Sequence, residues 1–439
     1  MLKPDQSKLA IEVARAVAHR LKESETIEAA LTLAAQQTAF PESVYWLPYG
    51  IAQGYAGLAV MNGYLDACFP GEGWDVVGHR NLELAGRAAE KSPRVLPGLF
   101  SGLSGLAFAA WYLSRQGTRY QKLLAALEQK LLPQVMANAH RLSQQKKGIS
   151  VISFDVISGL SGIGAYLLGR KEDLAVAKSL RALLQALITC TEEEEGLPRW
   201  HTPAHLLTDQ EKSLSRYPHG NLNCGLAHGI PGPLALLSLA HREGMEVDGL
   251  PEAIERVADW LCKNSLEDAW GINWPTAVPL GPNQTAVTSA RALGGSRAAW
   301  CYGSPGVARS LWLAGEALKR TDYQELAIAA MEAVYLRPLK VRNIDSATFC
   351  HGVAGLLQIA LRFARDTGLP LFTEAVHTLS EQLLSLYEPE SLLGYRCLEP
   401  GNRGVDKPGL LDGAPGVVLV LLAVATEIEP AWDRLFLLS

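Results

Sequence analysis

No run of about 18 apolar residues occurs anywhere in this sequence, so a membrane-spanning helix is not expected. Positive charge is not in excess either. The formal net charge is −5 at pH 7, and no basic stripe marks a nucleic-acid-binding face. The first residues, Met1-Leu-Lys-Pro-Asp-Gln-Ser7, lack the charged-then-apolar order of a signal peptide. Cysteine is sparse, with seven residues, scattered and odd in number. A chain without a secretory signal and without paired cysteine spacing points to a reducing cytosol, and to metal or catalytic use of its thiols. Apolar residues, by contrast, are abundant at 48% of the 439 positions. That is enough for a large core, in two or three ordinary domains or in one large repetitive one.

A repeat is present. A Gly-x-x-Gly turn precedes an apolar run seven times, beginning at Gly54, Gly102, Gly159, Gly229, Gly303, Gly352 and Gly413. The intervals are 48, 57, 70, 74, 49 and 61 residues. Each run, such as Leu106 to Leu113 or Val417 to Ala423, is apolar nearly all round, as a buried helix is. The last is rich in Val and is the most strand-like, but Ala and Leu dominate the set and favour helix. Between turns lie amphipathic segments: Tyr120 to Leu132, Lys171 to Cys190, Glu252 to Cys262, Tyr323 to Tyr335 and Leu371 to Tyr387. Their apolar residues recur at three- and four-residue steps, which predicts outer helices with one wet face. Helices are also expected over 7–22 and 26–37.

The expected fold is all-α, a closed α/α toroid of seven inner and seven outer helices forming one domain over 1–439. The first and last elements should be neighbours, because the last run is too apolar to end an open array. Two long linkers, 192–222 and 266–299, lack helical periodicity and are candidate extensions. Long connections of this kind are usually functional or flexible.

The repeat also supplies a register. Two residues before their turn glycines stand Cys301 and Cys350; one residue before stand His228, Tyr302, His351 and Asp412. Two thiols and one imidazole, Cys301, Cys350 and His351, form a three-ligand zinc set with one position left open, which favours catalysis over a structural role. A bland alternative stands beside it, since free cysteines often simply pack. That alternative suits Cys68, Cys190, Cys262 and Cys397. Cys224, near His228, competes as a ligand, and His219 and His228 can be satisfied polar groups of a turn. Asp412 can equally be a cap or turn residue, and no chemical role is assigned to it.

Three motifs, Asn223-Cys-Gly-Leu-Ala-His-Gly229, Trp300-Cys-Tyr-Gly-Ser-Pro-Gly306 and Cys350-His-Gly352, resemble the LanC family of lanthionine synthetase cyclases, nisin-cyclase type. The resemblance runs through all seven turns, and the Cys-Tyr-Gly form is similar to that of the bacterial members. It implies an α/α toroid holding Zn²⁺ and forming thioether rings in a dehydrated lantibiotic precursor peptide. It implies Cys301, Cys350 and His351 as zinc ligands and His228 and Asp155 as catalytic residues. Arg297 and Tyr302 match the remaining active-site positions. A lantibiotic dehydratase and an export transporter are the implied partners, in the cytoplasm or at the inner membrane face.

The chemistry suits these residues. A free thiol, with pKa near 8.5, is only a few per cent ionised near neutrality. A metal ion removes that handicap. Adding sulfur to a dehydroalanine or dehydrobutyrine leaves an enolate that needs a proton, for which histidine is the natural donor. Asp155 would orient His228 or take the thiol proton; Arg297 and Tyr302 would face the enolate oxygen. Two other readings remain open: a thiol-alkylating zinc enzyme of prenyltransferase type, and a non-catalytic glutathione- or peptide-binding LanC-like protein. The first needs a basic and aromatic isoprenoid-diphosphate site, which is not evident.

Overall fold

The computed structural model describes residues 2–207, 216–282 and 294–439. It comprises two compact units: Met1–Leu127 with Asn343–Asp433, and Glu128–Arg342 with Arg434–Ser439.

In the first unit, four turn glycines open the apolar helices Tyr55–Cys68, Leu103–Tyr112, Val353–Thr367 and Ala414–Ala425. The Val-rich run is therefore helical, and every residue from Ala414 to Val424 is buried. Tyr55–Cys68 packs on the amphipathic helix Trp74–Lys91, and Val353–Thr367 packs on Pro370–Ser385. The N-terminal helix Pro4–Arg20 packs on Ala414–Ala425, so the first and last long helices are neighbours as expected. In the second unit, Leu160–Leu168, Pro231–Arg242 and Ser304–Leu318 are the apolar helices. Their amphipathic partners are Leu174–Cys190, Leu250–Lys263 and Thr321–Leu336. The Leu250–Lys263 helix buries Leu250, Ala253, Ile254, Val257, Ala258 and Leu261, the three- and four-residue spacing of a single stripe. The helix expected over 120–132 runs on to Gln144, through Pro133.

The turns explain the repeat. None of the seven apolar helices starts with a side-chain cap. The free N–H groups of the first turn go instead to carbonyls seven residues upstream. Tyr55 N–H donates to Pro48 (2.8 Å), Leu103 to Leu96 (2.8 Å), Ile230 to Asn223 (3.1 Å), Val353 to Ser346 (2.8 Å) and Ala414 to Lys407 (3.2 Å). The incoming loop thus folds back over the helix end. A Cβ at the first turn glycine would overlap that loop's carbonyls, Leu47 O at Gly54 and Ser346 O at Gly352.

Neighbouring turns are also joined to one another, and the joint falls at the position two before the glycine. In the first unit Cys350 N–H donates to Leu411 O (3.0 Å), Leu411 to Ala52 O (3.3 Å) and Ala52 to Phe100 O (3.0 Å). In the second, Ala227 N–H donates to Cys301 O (3.2 Å), and Val156 N–H, here three before Gly159, to Ala227 O (3.1 Å). The register read from the repeat is therefore a physical ladder within each unit.

Among the described residues the two linkers form no α-helix, but they carry the 3₁₀ turn Ala204–Leu206 and are not structureless. Thr202–Pro203, Gly220–Asn223 and Ala277–Pro279 form one antiparallel sheet with Gly220–Asn223 in the middle. Its middle strand leads straight into the turn that carries His228. Parts of both linkers, 208–215 and 283–293, lie outside the described residues.

Candidate functional site

In the second unit the ladder sets the Asp155 loop beside the His228 turn. Asp155 is fully buried. Its Oδ1 accepts the N–H groups of Ser158 (2.8 Å) and Gly159 (2.7 Å), and its Oδ2 lies 2.7 Å from His228 Nδ1. One carboxylate oxygen therefore anchors the loop while the other holds the imidazole. The proton on Nδ1 is assigned from this contact, which makes Nε2 the unprotonated nitrogen of the neutral ring. The Tyr302 ring lies tilted to that of His228, with centroids 6.3 Å apart. Asn223 Nδ2 donates to the Tyr302 hydroxyl at 3.2 Å, while Asn223 Oδ1 accepts Gly225 N–H at 2.9 Å. Gly225 lies so close under the Tyr302 ring that a Cβ there would come within 2.5 Å of it. Cys301 is buried, and its carbonyl receives the Ala227 rung. Arg297 is exposed, and its carbonyl packs against Gly303.

In the first unit a group able to hold a metal ion stands on the same register. One ligand atom each from Cys350, His351 and Asp412 lie within 4.8 Å of one another. His351 Nδ1 is 3.7 Å from Asp412 Oδ1. That oxygen is buried and accepts no hydrogen bond. Thiolate and imidazole are zinc ligands, and a carboxylate serves either as a ligand or behind a ligating histidine; an orphaned buried carboxylate oxygen beside them suits either place. The residues present therefore fit the ion. Asp412, given no chemical role in the sequence reading, stands one before its turn glycine and within this group.

Four other thiols are raised by burial. Burial pushes the Cys224 thiol up to about 12, and its Sγ donates to the Leu222 carbonyl at 3.6 Å. Burial likewise raises Cys68, Cys262 and Cys397 to about 11.

The sequence matches the family described as lanthionine synthetase C-like protein over residues 45–437. The chain belongs to that family. Nisin biosynthesis protein NisC of Lactococcus lactis subsp. lactis is 29% identical to it over 349 residues, 77% of each chain. The solved structure of nisin cyclase matches with a TM-score of 0.76 at 25% identity, covering 95% of this chain and 98% of that one. These matches make the protein a lanthionine synthetase C-like chain of nisin-cyclase type, and its fold class is the α/α toroid of that family. None of the described helices is long and apolar enough to cross a membrane.

Proposed function

We propose that this lanthionine synthetase C-like protein is a zinc-dependent cyclase. It joins cysteine thiols of a dehydrated lantibiotic precursor to dehydroalanine or dehydrobutyrine residues of the same peptide. The observation that carries this is the Cys350, His351 and Asp412 group, within 4.8 Å, on the turns where the family resemblance calls for a metal. Cys301, Cys350 and His351 would hold the ion; the Cys301 assignment rests on the resemblance and on its shared register. When bound, zinc supplies the acidity that keeps a substrate thiol ionised near neutral pH.

The rest falls to side chains. The thiol proton leaves, sulfur bonds the β-carbon, and the alkene π pair moves toward the α-carbon and its carbonyl oxygen. The α-carbon then takes a proton, so atoms balance and peptide mass is unchanged. His228 Nε2 delivers that proton, with Nδ1 held by Asp155. Tyr302, and Arg297 with it, stabilise charge on the enolate oxygen. A dehydratase would supply the substrate and an export transporter remove the product, with the cyclase in the cytoplasm or at the inner membrane face.

Metal content and free-thiol counts on a dehydrated precursor test this together. Cys301→Ala and His351→Ala should lose zinc and ring formation. His228→Ala should keep zinc and lose ring formation, and Cys224→Ala should keep both. Thiol loss without a mass change excludes alkylation by a prenyl donor, and untouched thiols would indicate a binding protein. Full ring formation by a zinc-free Cys301→Ala protein would overturn the mechanism.

A further inference from the structure

Asp412 and His351 occupy the same place in adjacent turns, one residue before Gly413 and Gly352. The rung from Cys350 N–H to Leu411 O, 3.0 Å, locks those turns together. It sets the two side chains side by side, with His351 Nδ1 3.7 Å from Asp412 Oδ1. That oxygen is buried without a donor. The ammonium of Lys407 feels the charge of Asp412, but its Nζ lies on Glu399, at 3.2 Å. The backbone around Asp412 is held independently of its carboxylate, since Ala414 N–H reaches Lys407 O and Leu411 N–H reaches Ala52 O. That Asp412 oxygen therefore makes no hydrogen bond within its own turn.

We propose that Asp412 is a positioning residue of the metal centre: its carboxylate takes the Nδ1–H of His351, fixing the ring so that Nε2 is the metal-binding nitrogen. A small rotation of either side chain brings the present 3.7 Å separation into hydrogen-bond range. A carboxylate behind a ligating histidine selects the tautomer and raises the basicity of the ligand nitrogen. The inference rests on the metal reading of the site and adds Asp412 to it. Two carboxylates then play parallel roles, Asp155 behind the acid–base histidine and Asp412 behind the ligand histidine.

The test uses the full-length protein, with zinc affinity measured by competition with a chromogenic chelator. Asp412→Ala should weaken zinc binding roughly 10- to 100-fold. Asp412→Asn, whose amide oxygen still accepts the Nδ1 proton, should stay within a few-fold of wild type. Both metal-stripped variants should match metal-stripped wild type in circular dichroism and thermal midpoint, which separates a lost positioning contact from a damaged turn. Wild-type affinity in Asp412→Ala overturns the proposal. So does equal loss in both variants, which would make Asp412 a direct ligand. A wild-type protein that takes up no zinc sinks the metal reading itself, a result distinct from either of these.

Discussion

Asp155 divides its two oxygens between two tasks, and the division makes the residue testable. In Asp155→Asn the amide oxygen can keep the Ser158 and Gly159 N–H groups, at 2.8 and 2.7 Å in the native protein. The amide nitrogen then faces His228 Nδ1 and donates to it, forcing the proton onto Nε2. Zinc content and thermal midpoint should change little, whereas ring formation should fall roughly 10²- to 10⁴-fold. Single-turnover thiol loss measures the rate, and an unchanged rate would show that His228 needs no orienting partner. At this scale the sequence was partly legible. Cys350 and His351 stood out in the sequence because cysteine and histidine are rare and shared a register, and the structure brings one ligand atom of each within 4.8 Å. Asp155 entered only through family resemblance, because an Asp in a turn is commonplace until its partner is seen. Asp412 stayed hidden for the same reason.

At the scale of the element, the repeated turn governs. Gly303 has φ +98°, and a Cβ there would overlap the Arg297 carbonyl oxygen. Gly71 has φ +85°, yet nothing lies within 4 Å of its added Cβ. Gly303→Ala should therefore cost about 3–5 kcal/mol, since strain and a backbone clash add. Gly71→Ala should cost only about 1–2 kcal/mol, the ordinary left-handed penalty. Urea denaturation of the two variants checks the difference, and equal midpoints would remove the clash argument. Helices were the most legible elements, because an apolar run after each Gly-x-x-Gly is a local signal. The strands of the linkers were not. Each has two to four residues, too short for a period-two pattern, and Asn221 finds its partner Pro279 far along the chain. The end of the Gln121–Gln144 helix was missed because Pro133 lies inside it, and proline ordinarily stops a helix.

At the scale of the whole molecule, stability should depend on acid through Glu399. Thr38 donates to both of its oxygens at 2.8 Å, Ala39 N–H donates at 2.9 Å, and Lys407 lies at 3.2 Å. Burial alone would raise this carboxyl, but the Ala39 amide, the Thr38 hydroxyl and Lys407 outweigh it and hold it below its ordinary value. A depressed folded pKa gives stability that is present above the unfolded value, about 4.3. That stability is lost as pH falls through the folded one. Unfolding free energy should thus drop on acidification below about pH 4–5. Glu399→Gln should be less stable at pH 7 and show a flatter acid limb; an identical limb in both proteins would refute the assignment.

The sequence by itself determined the number of turns, the class of helix that follows each, and the register at which cysteine, histidine and aspartate residues precede them, because glycine spacing and helical periodicity are local properties of the chain. Only the tertiary structure decided which turns share a rung, that Asp412 stands against His351, and that the two linkers join in one sheet. Those outcomes turn on which distant carbonyl, N–H or carboxylate each group meets, and residue spacing carries no record of a partner more than a turn away.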